Sequence, residues 1–104
     1  ERSRLVEQAK KNQAAGVFSL VLECINHTTA KEITKSINIP TIGIGASAHC
    51  DGQILVTDDM LGLSGFYPKF VKKYVNLNNI IELGIKKYKK EVINRNFPKQ
   101  KCIY

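Results

Sequence analysis

Residues 18–26, FSLVLECIN, and residues 39–59, IPTIGIGASAHCDGQILVTDD, decide how the rest of the chain reads. Their apolar, β-branched runs end in polar or glycine-rich tips, the pattern of buried strands that run out into loops. Val17 to Ile25 is nearly continuous in apolar residues, as expected of a strand covered on both faces. Alternation groups Ser19, Val21 and Glu23 on one side and Phe18, Leu20 and Leu22 on the other. The bulkier side is taken as the helix-facing one, which points Glu23 inward. A carboxylate where an apolar strand runs out is costly to desolvate unless it has a partner or a task.

Working outward, Thr41 to Ala46 reads as the second strand, opened by Ile39-Pro40, where a proline removes no ladder bond that matters. Asp51-Gly52 marks a turn, and Gln53 to Thr57 forms the third strand. Residues 2–15 read as a helix with Leu5, Val6 and Ala9 on one face. Thr29-Ala-Lys-Glu32 has capping-box spacing, predicting a short helix from about Ala30 to Ser36 with Ile33 inward. Asp58 to Gly65 reads as a loop, and Pro68 is placed to open a helix carrying Phe70, Val71 and Tyr74. A last helix begins after Asn78 or Asn79. Its Ile81, Ile85, Tyr88 and Val92 make one apolar stripe with lysines opposite. Phe97-Pro98 is expected to stop it and Lys99–Tyr104 to fray.

Helix, strand, helix, strand, strand, helix, helix is an α/β order that favours a parallel sheet. The Ser47–Gly52 link is too short for a helical crossover, so periodicity alone leaves an antiparallel pair open there. Three strands also leave both sheet edges bare, and the pattern reads better as part of a larger sheet or barrel. The chain has 104 residues, enough for one core, and its only methionine is Met60. A start at Glu1 is therefore expected of a processed or partial chain.

Charge and cysteines narrow the function classes. The net charge is +7, but residues 1–60 hold six Lys/Arg against seven Asp/Glu, while residues 61–104 hold ten against two. The basic half raises a nucleic-acid-binding module as one reading. Against it, the lysines of 86–90 lie opposite an apolar helix face with no aromatic binding motif between them, so a solvated face is favoured. Three cysteines with no C-x-x-C spacing fit a reducing, cytoplasmic compartment rather than a disulfide framework. No apolar run approaches the length of a membrane span.

Three constellations invite chemistry. Gly43-x-Gly45-x-x-Ala48, with Asp58/Asp59 downstream, matches a loose dinucleotide fingerprint, but Asp51-Gly52 breaks the segment before a helix returns the chain. Close packing near a ligand mouth is the better reading of those glycines. Cys24, His27, His49 and Cys50 make an imaginable zinc set, yet their spacing is not a usual ligand pattern. A partly buried thiol beside a surface histidine accounts for His49-Cys50. Glu23 sits where parallel α/β proteins place catalytic groups. On position alone it is as well read as a solvated strand-end glutamate.

LVLECI (20–25), IPTIGIGASAHCDGQILVTDDMLGL (39–63) and YPKFVKKY (67–74) together resemble the ketopantoate hydroxymethyltransferase family, in order and spacing, over most of residues 1–93. The resemblance implies a (βα)8 TIM barrel of which this chain supplies the last three strands and carboxyl-terminal helices. Residues 1–104 would then be the C-terminal segment of one barrel domain whose amino-terminal half is absent. It also implies that the short Ser47–Gly52 link joins neighbouring parallel strands. The implied reaction moves a one-carbon unit from 5,10-methylenetetrahydrofolate to 3-methyl-2-oxobutanoate, giving 2-dehydropantoate, with Mg2+ on the keto acid.

In that family the proton-abstracting base is the glutamate of the LEC block, which falls on Glu23. Ile44, Ile54 and Val56, inward by strand parity, are expected to touch the substrate's isopropyl group. The family's magnesium ligands and its substrate-binding serine and lysine belong to the amino-terminal part, so no metal ligand is assigned in this chain. Asp58 and Asp59 gain no such role from the resemblance, and neither does His27. A multi-subunit homo-oligomeric ring is the implied assembly, and the chain alone is expected to be inactive. A non-catalytic remnant, or an assembly piece acting beside a separate amino-terminal chain, is the competing reading.

Overall fold

The structure, a computed structural model, describes all of residues 1–104. The element order is α1 (Arg2–Ala14), β1 (Leu20–Glu23), α2 (His27–Ser36), β2 (Thr41–Ile44), β3 (Gly52–Gln53), α3 (Thr57–Leu61) and α4 (Leu77–Ile93), followed by a 3-10 turn at Gln100–Cys102. No helix is long and apolar enough to cross a membrane. The chain divides into two compact units, one of Glu1–Val56 with Tyr67–Val71 and one of Thr57–Phe66 with Lys72–Tyr104.

The first unit is a three-stranded parallel sheet in the order β1-β2-β3 with helices on one face. Leu20 pairs with Thr41, Leu22 with Gly43 and Glu23 with Ile44. Partners in a parallel register point to the same side, so Leu20, Leu22, Thr41 and Gly43 share the helix side. Leu22 lies in a core with Val6 and Ala9 of α1, Ala30 and Ile33 of α2, Ile37 and Cys50. Ile33 is 2 % exposed, and burying such a side chain contributes about 1.5–3 kcal/mol. Val21, Glu23, Ile42 and Ile44 project from the opposite face.

The doubtful link is parallel: Ile42 pairs with Gly52 and Gly43 with Gln53. A side-chain network replaces the missing helical crossover. Asp51 Oδ2 accepts from the Thr41 backbone N–H at 2.8 Å and from Thr41 Oγ1 at 3.1 Å. Thr41, fully buried, also shares a 2.8 Å hydroxyl–hydroxyl bond with Thr34 of α2. The far end of the link is thereby tied to the start of β2, which turns the chain back in parallel without a helix.

Several expected boundaries move. β1 begins three residues later than its apolar run, and Phe18 is 88 % exposed, because residues 17–19 have no strand beside them. α2 starts at His27, where Asn26 Oδ1 accepts from the Thr28 N–H at 3.0 Å. This asparagine cap displaces the expected capping box, and Thr29 is buried inside the helix. β3 keeps only Gly52–Gln53, and Thr57–Leu61 is a helix where a loop was expected. Pro68 opens no helix: the Val71 N–H donates to the Pro68 carbonyl in a single turn.

In the second unit, Gly62 ends α3 with φ +74, and a Cβ there would fall 2.5 Å from the Val75 carbonyl oxygen. Only glycine suits that close approach. α4 is capped by Asn76, whose side chain accepts from the Asn79 N–H at 3.3 Å. It therefore starts earlier than expected, and it ends at Ile93, before Phe97-Pro98 is reached. Ile81, Ile85, Tyr88 and Val92 do form one stripe, and all four are exposed. The tail expected to fray holds the 3-10 turn, where the Cys102 N–H donates to the Lys99 carbonyl.

Candidate functional site

The carboxyl ends of β1 and β2 open onto a cleft of about 750 Å³ that lies wholly within the first unit. Cys24, the residue after β1, and Gly45, Ala46, Ser47 and Ala48, the residues after β2, line it with Gln53, Lys69 and Phe70. Small side chains after β2 leave the space. Gly45 has φ +61, and a Cβ on it would lie 2.6 Å from Phe70 Cγ. Its lack of a side chain is what admits the Phe70 ring against the backbone.

Polar contacts fix the rim. Ser47 is buried, its hydroxyl 3.1 Å from His27 Nδ1 and accepting from the His49 N–H at 3.2 Å. Gln53 Nε2 donates to the Ser47 carbonyl at 2.8 Å, bracing the loop after β2 against β3. The His27 and His49 rings approach to 5.4 Å between centroids. The His49 pKa is lowered, chiefly by the positive charge of Lys31, with desolvation, His27 and Lys35 acting in the same direction. No three His, Cys, Asp or Glu side chains converge closely enough to hold a metal ion.

Glu23 immediately precedes Cys24 of the cleft and stands beside Ile44 in the parallel register. It projects from the face away from the helices, as alternation requires. The expected burial is not met: the Glu23 side chain is exposed and its carboxylate has neither a hydrogen bond nor an ion pair, because it ends β1 on the face away from α1 and α2. Ile44 is half-buried. Ile54 is linked to the sheet by its N–H, which donates to the Gly43 carbonyl at 3.0 Å, but it lies past the end of β3. Val56 is three residues past that end, and both side chains are about half exposed. The structure thus brings Glu23 and Ile44 together, while Ile54 and Val56 extend the same apolar trend.

Of the remaining residues singled out in the sequence, Asp58 and Asp59 belong to α3 in the second unit, where Ser64 Oγ donates to Asp59 Oδ1. Phe70 and Lys69 were not anticipated as cleft residues. The only prior signal was the close packing expected of Gly45, which names a position for a neighbour but not the neighbour.

Comparison with known proteins gives a consistent result. The sequence profile of the family described as ketopantoate hydroxymethyltransferase matches residues 1–100. Among similar proteins, the 3-methyl-2-oxobutanoate hydroxymethyltransferase of Pelagibacter ubique is 51% identical over 104 residues, covering 100% of this chain and 40% of that protein. The protein of the same name from Syntrophus aciditrophicus is 54% identical over 98 residues, covering 93% of this chain and 36% of its own length. That from Maricaulis maris is 45% identical, covering 100% of this chain and 37% of its own length. The chain thus spans about two fifths of the length of the curated relatives it matches.

Proposed function

Because the chain belongs to the ketopantoate hydroxymethyltransferase family, we propose that it forms the carboxyl-terminal part of a TIM-barrel enzyme. That enzyme transfers a hydroxymethyl group from 5,10-methylenetetrahydrofolate to 3-methyl-2-oxobutanoate, giving 2-dehydropantoate. The observation that carries this reading is the pairing of Glu23 with Ile44 on the face of a parallel sheet away from the helices, beside a cleft at the strands' carboxyl ends. In a barrel that face becomes the interior, and catalytic groups sit at the carboxyl-terminal mouth. The remaining strands then cover Val21, Ile42 and Ile44 and supply the desolvation that Glu23 lacks within residues 1–104.

Glu23 acts as the general base. Its carboxylate takes the proton from the carbon next to the keto group, and the C–H electron pair is left in an enolate. That carbon forms the new C–C bond to the folate-borne methylene. The methylene's bonds to N5 and N10 of the folate break, one water supplies its hydroxyl, and tetrahydrofolate leaves with the proton taken from the keto acid and the second proton of the water. Ile44, Ile54 and Val56 form the apolar wall against the isopropyl group. Magnesium belongs to the same reading, but the carboxylates of residues 1–104 do not fit its needs, so its ligands are assigned to the amino-terminal part and no step is routed through it. A homo-oligomeric, cytoplasmic enzyme completes the proposal.

The test is Glu23→Gln in the complete enzyme. Loss of a general base lowers turnover by about 10²–10⁴-fold, while calorimetric binding of 3-methyl-2-oxobutanoate stays close to wild type. Transfer retained at the wild-type rate assigns the base elsewhere.

A further inference from the structure

Four basic side chains gather at the rim of the cleft. His27, Lys31 and Lys35 follow one another at spacings of four along α2, which puts them on successive turns of one helix face. His49, from the loop after β2, brings its ring to 5.4 Å from that of His27. The neighbouring acids are engaged elsewhere. Glu32 of α2 pairs with Arg2, and Asp51 Oδ2 accepts from the Thr41 N–H and hydroxyl. Glu23 projects from the sheet face away from α2. Neither Lys31 nor Lys35 belongs to an ion pair. The charges that lower the His49 pKa, Lys31 above all and then His27 and Lys35, are all positive.

Hydrogen bonding leaves this group rich in donors. The Ser47 hydroxyl oxygen accepts from the His49 N–H, so its own hydrogen goes to His27 Nδ1, and Nε2 of His27 carries the ring's N–H. Two ammonium groups and that N–H offer donors only, and the protonated His49 ring adds two more. A doubly charged anion with several oxygen acceptors matches such a set. We infer that His27, Lys31, Lys35 and His49 form a binding site for a tetrahedral dianion, the class of inorganic phosphate and of the phosphate end of a monoester. A bound dianion favours the charged imidazoles and so opposes the effect of Lys31 on His49. Ser47, buried in the cleft wall, ties the site to the cleft through His27. The site stands apart from the proposed transfer reaction and needs neither of its substrates.

Calorimetric titration of the complete enzyme with sodium sulfate, at an ionic strength held constant with chloride, tests the site. Sulfate is the probe because it stays a dianion between about pH 6 and 8, the range in which histidine titrates. Binding is expected to saturate at one sulfate per chain with a Kd of about 1–10 mM, and to be tighter at the acid end of that range. Replacing both lysines, Lys31→Gln with Lys35→Gln, weakens it about tenfold, as for the loss of two exposed charge pairs. Arginine at both positions retains it, which separates lost charge from lost structure. His49→Gln flattens the pH dependence. Lys89→Gln with Lys90→Gln, on α4, changes nothing. Inorganic phosphate and phenyl phosphate then distinguish the sources: equal affinity assigns the free anion, and tighter binding of the ester assigns a monoester. Uptake that does not saturate, an affinity unmoved by the loss of both lysines, or one that is equal across the pH range overturns the site.

Discussion

Thr41→Val tests whether the hydroxyl network, rather than apolar packing, returns the chain in parallel between β2 and β3. Valine has nearly the same shape and a higher preference for strands, so packing alone predicts a neutral or stabilising change. The structure predicts the reverse. Thr41 is fully buried, and its hydroxyl meets Thr34 Oγ1 at 2.8 Å and Asp51 Oδ2 at 3.1 Å, while the Asp51 N–H donates back to it at 3.3 Å. A bond to a charged acceptor contributes about 1.5–3 kcal/mol and a neutral one about 0.5–1.5. The loss is moderated because Thr34 keeps its bond to the Ala30 carbonyl at 2.9 Å and the exposed Asp51 can turn to water. A cost of about 1–2.5 kcal/mol follows, read from urea unfolding monitored by circular dichroism. Thr41→Ser keeps the hydroxyl and loses one methyl group, worth about 0.8 kcal/mol. Valine is therefore predicted to be the more damaging of the two. A valine variant at least as stable as wild type refutes this account of the crossover.

Two further outcomes are expected. The His49 ring is predicted to titrate below the ordinary histidine range near 6.5, because Lys31 opposes its protonation. Folding then favours the neutral ring. Its contribution to stability is complete above that range and is lost as pH falls through it toward the folded-state value. In NMR titrations, Lys31→Gln and added salt both raise the His49 value, and a value indifferent to both contradicts the cause. Ile33→Ala should cost about 2–4 kcal/mol in residues 1–104, whereas Val21→Ala, at 58 % exposure, costs less than about 0.5. In the complete enzyme Val21→Ala should rise to about 1–2.5 kcal/mol by thermal unfolding, and a cost that stays negligible shows that no barrel covers that face.

The face of each strand was legible because a period of two is a local property. Leu20 and Leu22 go to the helices, and Glu23 goes to the other side with Val21. The element ends were less legible, because neighbours decide them. Asn26 caps α2 ahead of Thr29, an outcome settled by which side chain reaches the Thr28 N–H. Pro68 is followed by a turn because Phe70 is drawn onto Gly45, a contact separated by 25 positions that no periodicity records. β3 shortens because only Gly52 and Gln53 find partners on β2. For the candidate site, position and sign of charge could be read, but burial of Glu23 could not. A period of two gives the face of a strand on which a side chain lies, not whether another element packs over that face.

Deuterium exchange at the hydrogen next to the keto group of 3-methyl-2-oxobutanoate, followed by proton NMR in D2O, tests the role of Glu23 most directly. The complete wild-type enzyme is predicted to wash out that signal and collapse the methyl doublet, and the Glu23→Gln variant to do so no faster than buffer alone. Exchange at the wild-type rate in that variant would contradict the assignment of this carboxylate as the base.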